Sequence, residues 1–183
     1  MPYEAPDLAK LNLSEIAELV AARKLPPVQQ WNPEKSGDSE MRIAADGRWF
    51  YKDGEITRPA MIRAFASLLR RESDGSHWLV TPQEKLLISV EDAPLLAVEL
   101  QSEGTGQSRK LAFRLNTDDL VIAGADHAIE LRNALPYLHV RNDLWAKFTR
   151  PVYYELAELA LAEDPDLPRV WSNGSFFLIG ALE

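Results

Sequence analysis

Apolar residues recur at helical spacing in three stretches of this chain. Residues 13–20 follow Asn12, a residue type that caps helices, and their apolar positions lie three or four residues apart. A second stretch begins at Pro59 and carries its apolar positions through Leu69, and a third covers residues 152–162. The pattern therefore predicts three helices.

Short runs rich in β-branched and aromatic residues predict strands between these helices. The first two, residues 41–44 and 48–51, are joined through Asp46-Gly47, a strong hairpin signal. The later predicted strands cover residues 77–81, 86–90, 95–100, 109–115, 120–123, 128–131 and 137–141, with a last hairpin over 171–182. Their regular spacing predicts an antiparallel, strongly curved sheet, with the third helix packed across its open side. The predicted fold class is α+β.

The tripeptide Thr-Arg-Pro occurs twice, at residues 57–59 and 149–151. Each copy follows an aromatic run and precedes a predicted helix and then a tryptophan, Trp78 in one copy and Trp171 in the other. We interpret this as a duplicated strand–helix–strand motif and expect a cleft between the copies. The predicted domains are an N-terminal helix and linker (residues 1–40), a small α+β domain (41–84) and a β-rich domain with one helix (85–183).

Each Thr-Arg-Pro predicts a strand-to-helix junction that carries a cation. Proline suits the first turn of a helix, where its missing N–H costs nothing, and it favours extended geometry in the preceding residue. Arg58 and Arg150 would then stand beside exposed helix N–H groups, where a phosphate or carboxylate can bind. The alternative is ordinary ion pairing with carboxylates close in sequence. These are Asp53 and Glu55 for Arg58, and Asp143 and Glu155 for Arg150.

Composition narrows the chemistry. The 183 residues carry a net charge of −8, so general adhesion to nucleic acid or to a membrane surface is not expected. The sequence has no cysteine and three histidines, and we expect no disulfide, no metal and no cofactor. Asp118-Asp119 and Asp126-His127 offer ligands for a hard cation, but adjacent acids are common in turns. The start of the chain lacks an apolar signal segment, and we expect a cytoplasmic protein.

Standard catalytic motifs are missing from the sequence, including the nucleophile elbow, the phosphate-binding loop and the dinucleotide glycine fingerprint. We therefore expect a non-enzymatic protein. One alternative is an enzyme acting on a phosphorylated or carboxylated small molecule, since scattered carboxylates assemble only in the fold. Another is a protein–protein adaptor that uses Arg63, Arg70 and Arg71 on an exposed face of the second helix.

Several ordered motifs run from about Leu25 to the end of the chain. They include DGRWF (46–50), WLVTP (78–82), VEDAP (90–94), YLHVR (137–141), PVYYEL (151–156) and VWSNG (170–174). Together these motifs resemble the bacterial Domain of Unknown Function 1285 family. The resemblance implies a duplicated α+β arrangement whose C-terminal half is similar to a pleckstrin-homology barrel. It further implies a ligand site between the halves and a role in signalling, and it supplies no catalytic residues.

The residues and the resemblance together predict a ligand-binding protein of bacterial signalling or regulation, with its site at the junction of the two repeats. The expected partner is an anionic ligand, a nucleic acid or a protein. Aromatic rings beside arginine can stack on the bases of single-stranded nucleic acid. The predicted site has five donors, Arg58, Lys85, His139, Arg141 and Arg150, with Trp49 and Trp78 as walls.

Overall fold

The computed structural model describes residues 6–180, which divide into two compact units. The N-terminal unit consists of residues 24–94 and 142–144. The C-terminal unit consists of residues up to 23, residues 95–141 and residues from 145 onward. The first five residues of the predicted segment 1–40, and residues 181–183 at the end of the predicted last hairpin, lie outside the described residues.

Residues 6–180 contain three α-helices, three short 3-10 helices and fourteen strands. The α-helices are α1 (Leu13–Ala22), α2 (Pro59–Ala66) and α3 (Arg150–Glu163). The first six strands are β1 (Lys35–Ile43), β2 (Trp49–Tyr51), β3 (Gly54–Ile56), β4 (Leu69–Arg71), β5 (His77–Val80) and β6 (Glu84–Val90). The next six are β7 (Leu95–Glu103), β8 (Lys110–Leu115), β9 (Leu120–Ile122), β10 (Ile129–Arg132), β11 (Leu135–Arg141) and β12 (Leu144–Phe148). The last hairpin consists of β13 (Arg169–Ser172) and β14 (Ser175–Leu178). The predicted α+β class is confirmed.

The N-terminal unit holds a six-stranded sheet with the order β3-β2-β1-β6-β5-β4. Its central pair, β1 and β6, is parallel, with Lys35 opposite Glu84 and Ile43 opposite Val90. The register shifts at Ser39, whose hydroxyl donates to the carbonyl oxygen of Leu87 at 2.7 Å. The first half of β1 is polar and exposed, so its residues lack the alternation of apolar and polar positions that predicts a strand. Pairing with β6 makes this segment a strand, and β1 therefore starts before residue 41, where the sequence predicted it to begin.

The C-terminal unit holds a second six-stranded sheet with the order β10-β11-β12-β7-β8-β9. Its strands β7 and β12 are parallel, so the prediction of an antiparallel sheet is wrong for this pair. Helix α3 packs against β7 and β13 and buries Val152, Leu156 and Ala160. Helix α1 packs against β8 and β9 and places Leu13 and Ile16 in a buried cluster.

Asn12 caps α1 as predicted. Its Oδ1 accepts the backbone N–H of Glu15 at 2.8 Å, and its Nδ2 donates to Oε1 of Glu15 at 3.0 Å. The first helix therefore begins where the sequence pattern placed it, because its start depends on local hydrogen bonds alone.

The two sheets share one topology, but Thr-Arg-Pro does not mark it. In each sheet, two three-stranded meanders meet through a parallel pair formed by the first and the last strand. Residues 57–59 lead into α2, which connects the two meanders of the first sheet, whereas residues 149–151 follow the last strand of the second sheet. The duplication is real at the level of the sheets, and the interpretation of the tripeptides as equivalent positions is wrong.

The second predicted helix is too long. It ends at Ala66, and residues 69–71 form β4, which pairs with β5. The side chain of Arg70 is buried and donates to the carbonyl oxygens of Val28 and Trp31 at 3.0 and 2.7 Å. These contacts hold the predicted linker against β4, so the exposed arginine face of the adaptor hypothesis does not exist at Arg70.

The domain boundary predicted between residues 84 and 85 falls inside β6, directly after its first residue. Because β6 pairs with β1 and β5, it belongs to the N-terminal unit, which continues to Pro94. The limit after residue 40 likewise falls inside β1.

Candidate functional site

The two Thr-Arg-Pro segments begin their helices in different registers. Helix α3 begins at Arg150, and the hydroxyl of Thr149 accepts the backbone N–H of Val152 at 3.5 Å. Helix α2 begins one residue later in the tripeptide, at Pro59, so that Arg58 is its cap residue and provides no side-chain cap. A threonine hydroxyl therefore caps the helix only in the second copy.

Both arginines are exposed, and their guanidinium groups have no partner within residues 6–180. Neither the Arg58 nor the Arg150 guanidinium makes an ion pair or a hydrogen bond to a described residue. The pairs considered from the sequence, with Asp53, Glu55, Asp143 or Glu155, are not formed. A free guanidinium retains all its N–H donors for a carboxylate or phosphate.

Arg58 lies on an open pocket of about 530 Å³ in the N-terminal unit. The other lining residues come from β1, β2, β3 and α2 and are largely apolar; they include Met41, Tyr51, Met61 and Phe65. Tyr51 is 50 % exposed and Met61 is 39 % exposed, which is high for large apolar side chains. We call this site the Arg58 pocket.

The sheet register explains why a pocket forms here. Met41, Tyr51 and Gly54 are opposite one another on three neighbouring strands, so they share one face of the sheet. On the same face, the next row contains Ile43 and Trp49, both fully buried. The rest of the unit thus covers Ile43, Trp49 and Met41, whereas Ile56 is half-buried and Tyr51 is half-exposed. The apolar face therefore opens to solvent at Tyr51.

Trp49 is not an accessible wall, because its side chain is 0 % exposed. Trp78 and Lys85, by contrast, are in contact within the N-terminal unit, with the Lys85 ammonium 4.4 Å from the centre of the Trp78 ring. Lys85 Nζ also lies 3.2 Å from Oε1 of Glu72, which pairs with Arg70 at 2.9 Å. The Lys85 charge is therefore already paired inside its own unit.

Burial and ion pairing act in opposite directions on Glu72. Burial raises the pKa of its carboxyl, but hydrogen bonds from Arg70 and Lys85 outweigh burial and hold the pKa below its ordinary value. Nearby, burial and the charge of Arg71 lower the pKa of His77 to about 4. Glu72 is thus ionised and His77 neutral at physiological pH.

In the C-terminal unit, two of the three predicted donors, His139 and Arg141, also have partners. His139 Nδ1 lies 3.0 Å from the carbonyl oxygen of Asp126, so this nitrogen carries the proton, and the ring meets Trp145 edge-on with centroids 5.0 Å apart. Arg141 lies 3.8 Å from Oδ2 of Asp119 and is mostly buried. Burial lowers the pKa of Arg141, while the Asp119 carboxylate opposes that change.

Two of the acidic residues considered as cation ligands, Asp118 and Asp119, are used in ion pairs. Asp119 accepts from Arg23 Nε at 2.5 Å, and Asp118 accepts from Arg114 at 3.1 Å. Within residues 6–180, no group of three or more histidine, aspartate or glutamate side chains is arranged to hold a metal ion.

The seven predicted site residues are divided between the units: Trp49, Arg58, Trp78 and Lys85 belong to the N-terminal unit, and His139, Arg141 and Arg150 to the C-terminal unit. Their convergence at a junction stays a prediction. The apolar lining of the Arg58 pocket was missed from the sequence because Met61 and Phe65 have the spacing of ordinary core residues. The alternation of Trp49 and Tyr51 on a short strand was the available signal.

The architecture defines a two-unit α+β protein in which each unit has its own six-stranded sheet. Family models assign the two parts separately. The model "Domain of unknown function (DUF1285), N-terminal domain" matches residues 26–93, and "Protein of unknown function (DUF1285), C-terminal domain" matches residues 94–179. The chain belongs to the DUF1285 family, and the predicted resemblance is confirmed. The limit between the two matches agrees with the division of the structure next to Pro94.

Solved structures agree with this assignment. A DUF1285 family protein from Silicibacter pomeroyi DSS-3 is 39 % identical with a TM-score of 0.78, and the match covers 91 % of this chain and 95 % of that one. A DUF1285 family protein from Shewanella baltica OS155 is 26 % identical with a TM-score of 0.51, covering 64 % and 90 %. No curated protein matches the chain.

Among residues 6–180, no helix has the length and apolar character needed to cross a membrane.

Proposed function

We propose that this chain is a non-enzymatic ligand-binding protein of bacterial signalling or regulation that acts in the cytoplasm and recognises an anionic ligand. One observation carries the proposal: the exposed Arg58 guanidinium has no partner in the described chain and lies on a pocket of about 530 Å³. Pockets of about 300–1,000 Å³ with apolar walls and a few polar groups are typical of small-molecule sites.

The residues of this pocket favour recognition over catalysis. Its charged lining residues, within the described chain, are Arg58 and Glu55, and no histidine, cysteine or lysine lines it. Glu55 pairs with Phe50 in the sheet, which places it on the face opposite to that of Met41 and Tyr51. An arginine without an adjacent base binds charge and does not transfer protons, because its guanidinium stays protonated.

The proposal also assigns a role to the C-terminal unit. We propose that its sheet serves as a pleckstrin-homology-like scaffold and that Arg150, a second uncommitted guanidinium, contributes to ligand recognition. The predicted junction site with Trp78, Lys85, His139 and Arg141 belongs to the same proposal. The Arg150 guanidinium supports this part of the proposal, because it has no ion-pair or hydrogen-bond partner among the described residues. Lys85 and Arg141 would have to exchange their carboxylate partners, Glu72 and Asp119, for the ligand.

A thermal-shift screen tests the function. Wild type, Arg58→Ala and Arg150→Ala are melted with nucleotides, short oligonucleotides and metabolites. A ligand at a hundred times its Kd stabilises the folded state by about 2.7 kcal/mol, which corresponds to about 5–10 °C for a chain of this size. We expect a shift with an anionic ligand in wild type that Arg58→Ala reduces. No shift with any compound, or equal shifts in all three proteins, contradicts the proposal.

A further inference from the structure

We infer that the Arg58 pocket binds a small amphipathic monocarboxylate, such as a medium-chain fatty acid, with its carboxylate on Arg58 and its apolar body on the open sheet face. This inference rests on the proposed function and names the ligand class for it. The juxtaposition of one free cation with an exposed apolar surface carries the argument.

The apolar body of the ligand is indicated by what the pocket leaves uncovered. Tyr51 of β2 and Met61 of α2 are exposed, and Phe65 of α2 is half-buried. Met41, opposite Tyr51 on β1, also lines the pocket but is itself buried. Methionine side chains are flexible and polarisable, so they adapt to an alkyl chain of variable shape. A large exposed apolar surface is costly in water, and an alkyl chain that covers it is stabilised in proportion to the area removed from solvent.

The single negative charge of the ligand follows from the lining. Arg58 is the only cationic residue among the described residues that line the pocket. One guanidinium forms a bidentate pair with one carboxylate. A phosphate monoester carries a charge of about −1.5 to −2 at neutral pH, which the single positive charge of Arg58 does not neutralise.

Arg58 is also free to adopt that pairing. It is exposed, and the nearest lining carboxyl, Glu55, belongs to the row of Phe50 and Arg42 on the other face of the sheet. Arg42 and Arg48 both lie over the Phe50 ring, at 4.4 and 5.3 Å from its centre, so cationic groups concentrate on that opposite face. Among the described residues that line the pocket, Arg58 is thus the one cation beside an apolar floor. The Lys52 ammonium lies 5.5 Å from the centre of the Tyr51 ring, but it pairs with Glu40 at 3.7 Å.

The experiment measures binding of hexanoate, octanoate and decanoate, below their micelle-forming concentrations, to the full chain by calorimetry or by NMR chemical shifts. Octan-1-ol is the uncharged probe and inorganic phosphate is the charged probe without a chain. Arg58→Ala removes the cation, Arg58→Lys keeps the charge, and Met61→Gln reduces the apolar wall. Two exposed residues outside the pocket lining supply matched controls: Arg48→Ala removes an arginine that lies over the Phe50 ring, and Leu161→Gln replaces an exposed leucine of α3.

We expect affinity to increase about fourfold for each added methylene until the pocket is filled. Arg58→Ala should abolish the preference for octanoate over octan-1-ol, Arg58→Lys should keep part of it, and Met61→Gln should weaken the dependence on chain length. The two control variants should bind like wild type.

Three results overturn the inference. If acids and phosphate bind through Arg58 with equal affinity at every chain length, the ligand is a plain anion, and the proposed anion-binding function survives without this ligand class. If chain length matters but Arg58→Ala has no effect, the binding is unspecific adsorption of amphiphiles. If none of the acids binds, the inference fails, and the thermal-shift screen decides separately whether another anion uses Arg58.

Discussion

Replacing Arg70 by methionine tests the largest difference between the sequence pattern and the structure. The sequence placed Arg70 on an exposed helix face, whereas the structure buries it in β4 and gives it the carbonyl oxygens of Val28 and Trp31 and the carboxylate of Glu72. Methionine keeps the apolar stem and β-strand packing but removes every donor. We therefore expect Arg70→Met to destabilise the N-terminal unit.

The magnitude follows from the groups left without a partner. Removing one member of a buried ion pair costs about 3–5 kcal/mol, and an unpaired buried carbonyl costs about 1–3 kcal/mol. The Glu72 side chain is 32 % exposed and keeps Lys85 as a partner, which reduces the penalty. We expect a loss of about 3 kcal/mol, at the lower end of the range for buried pairs.

Hydrogen exchange of the β4 and β5 amide protons, followed by NMR, gives the free energy of opening of this unit. Arg48→Ala is the control, since the Arg48–Asp46 pair is more than half exposed on both sides and should contribute less than about 1 kcal/mol. The reasoning is refuted if the two substitutions change the opening free energy by similar amounts.

Because the folded pKa of Glu72 is below its ordinary value of 4.5, its ion pairs contribute fully to stability above pH 4.5. The difference between wild type and Arg70→Met should therefore narrow as the pH falls through the folded pKa.

Three further predictions have measurable outcomes. His77 has a folded pKa of about 4 against 6.5 when unfolded, so its contribution to stability is complete above pH 6.5 and is lost as the pH falls towards 4; an NMR titration that finds a pKa near 6.5 would contradict this. Asn12→Ala should destabilise α1 by about 1 kcal/mol in urea denaturation, whereas the exposed neighbour Ser14 should tolerate alanine. Ser172→Ala should cost about 1–3 kcal/mol, because the buried hydroxyl donates to the carbonyl oxygen of Ala123 at 2.8 Å and accepts the N–H of Leu111 at 2.9 Å; an unchanged denaturation midpoint would show that water replaces these bonds.

Features with a local cause could be predicted from the sequence. Asn12 starts α1, Pro59 starts α2, and Asn173-Gly174 turns the last hairpin with positive φ at both residues. Each depends on hydrogen bonds or backbone preferences within a few residues. Most strands of the C-terminal sheet were predicted within two or three residues for the same reason.

Features that depend on distant partners could not be predicted. The parallel pairs join strands far apart in sequence, and no local pattern specifies them. The segment from Leu69 to Arg71 continues the helical spacing, yet pairing with β5 and the buried contacts of Arg70 make it a strand. Strand β3 begins at Gly54 and has only three residues, so it carries too little pattern to be recognised.

The candidate site also combines a feature with a local cause, which could be predicted, and features that depend on distant partners, which could not. Arg58 was found from the sequence because a cation at a proline-initiated helix start is unusual. Its pocket was not, since only the register of Met41, Tyr51 and Gly54 brings the lining together on one face. The burial of Trp49 and the pairing of Lys85 with Glu72 likewise required the fold.

A crystal structure of the full chain grown with decanoate tests the central claim most directly. The account predicts the carboxylate paired with the Arg58 guanidinium and the alkyl chain lying on Tyr51, Met61 and Phe65. A decanoate molecule bound elsewhere, or an empty Arg58 pocket at a decanoate concentration that saturates the protein in solution, would contradict it.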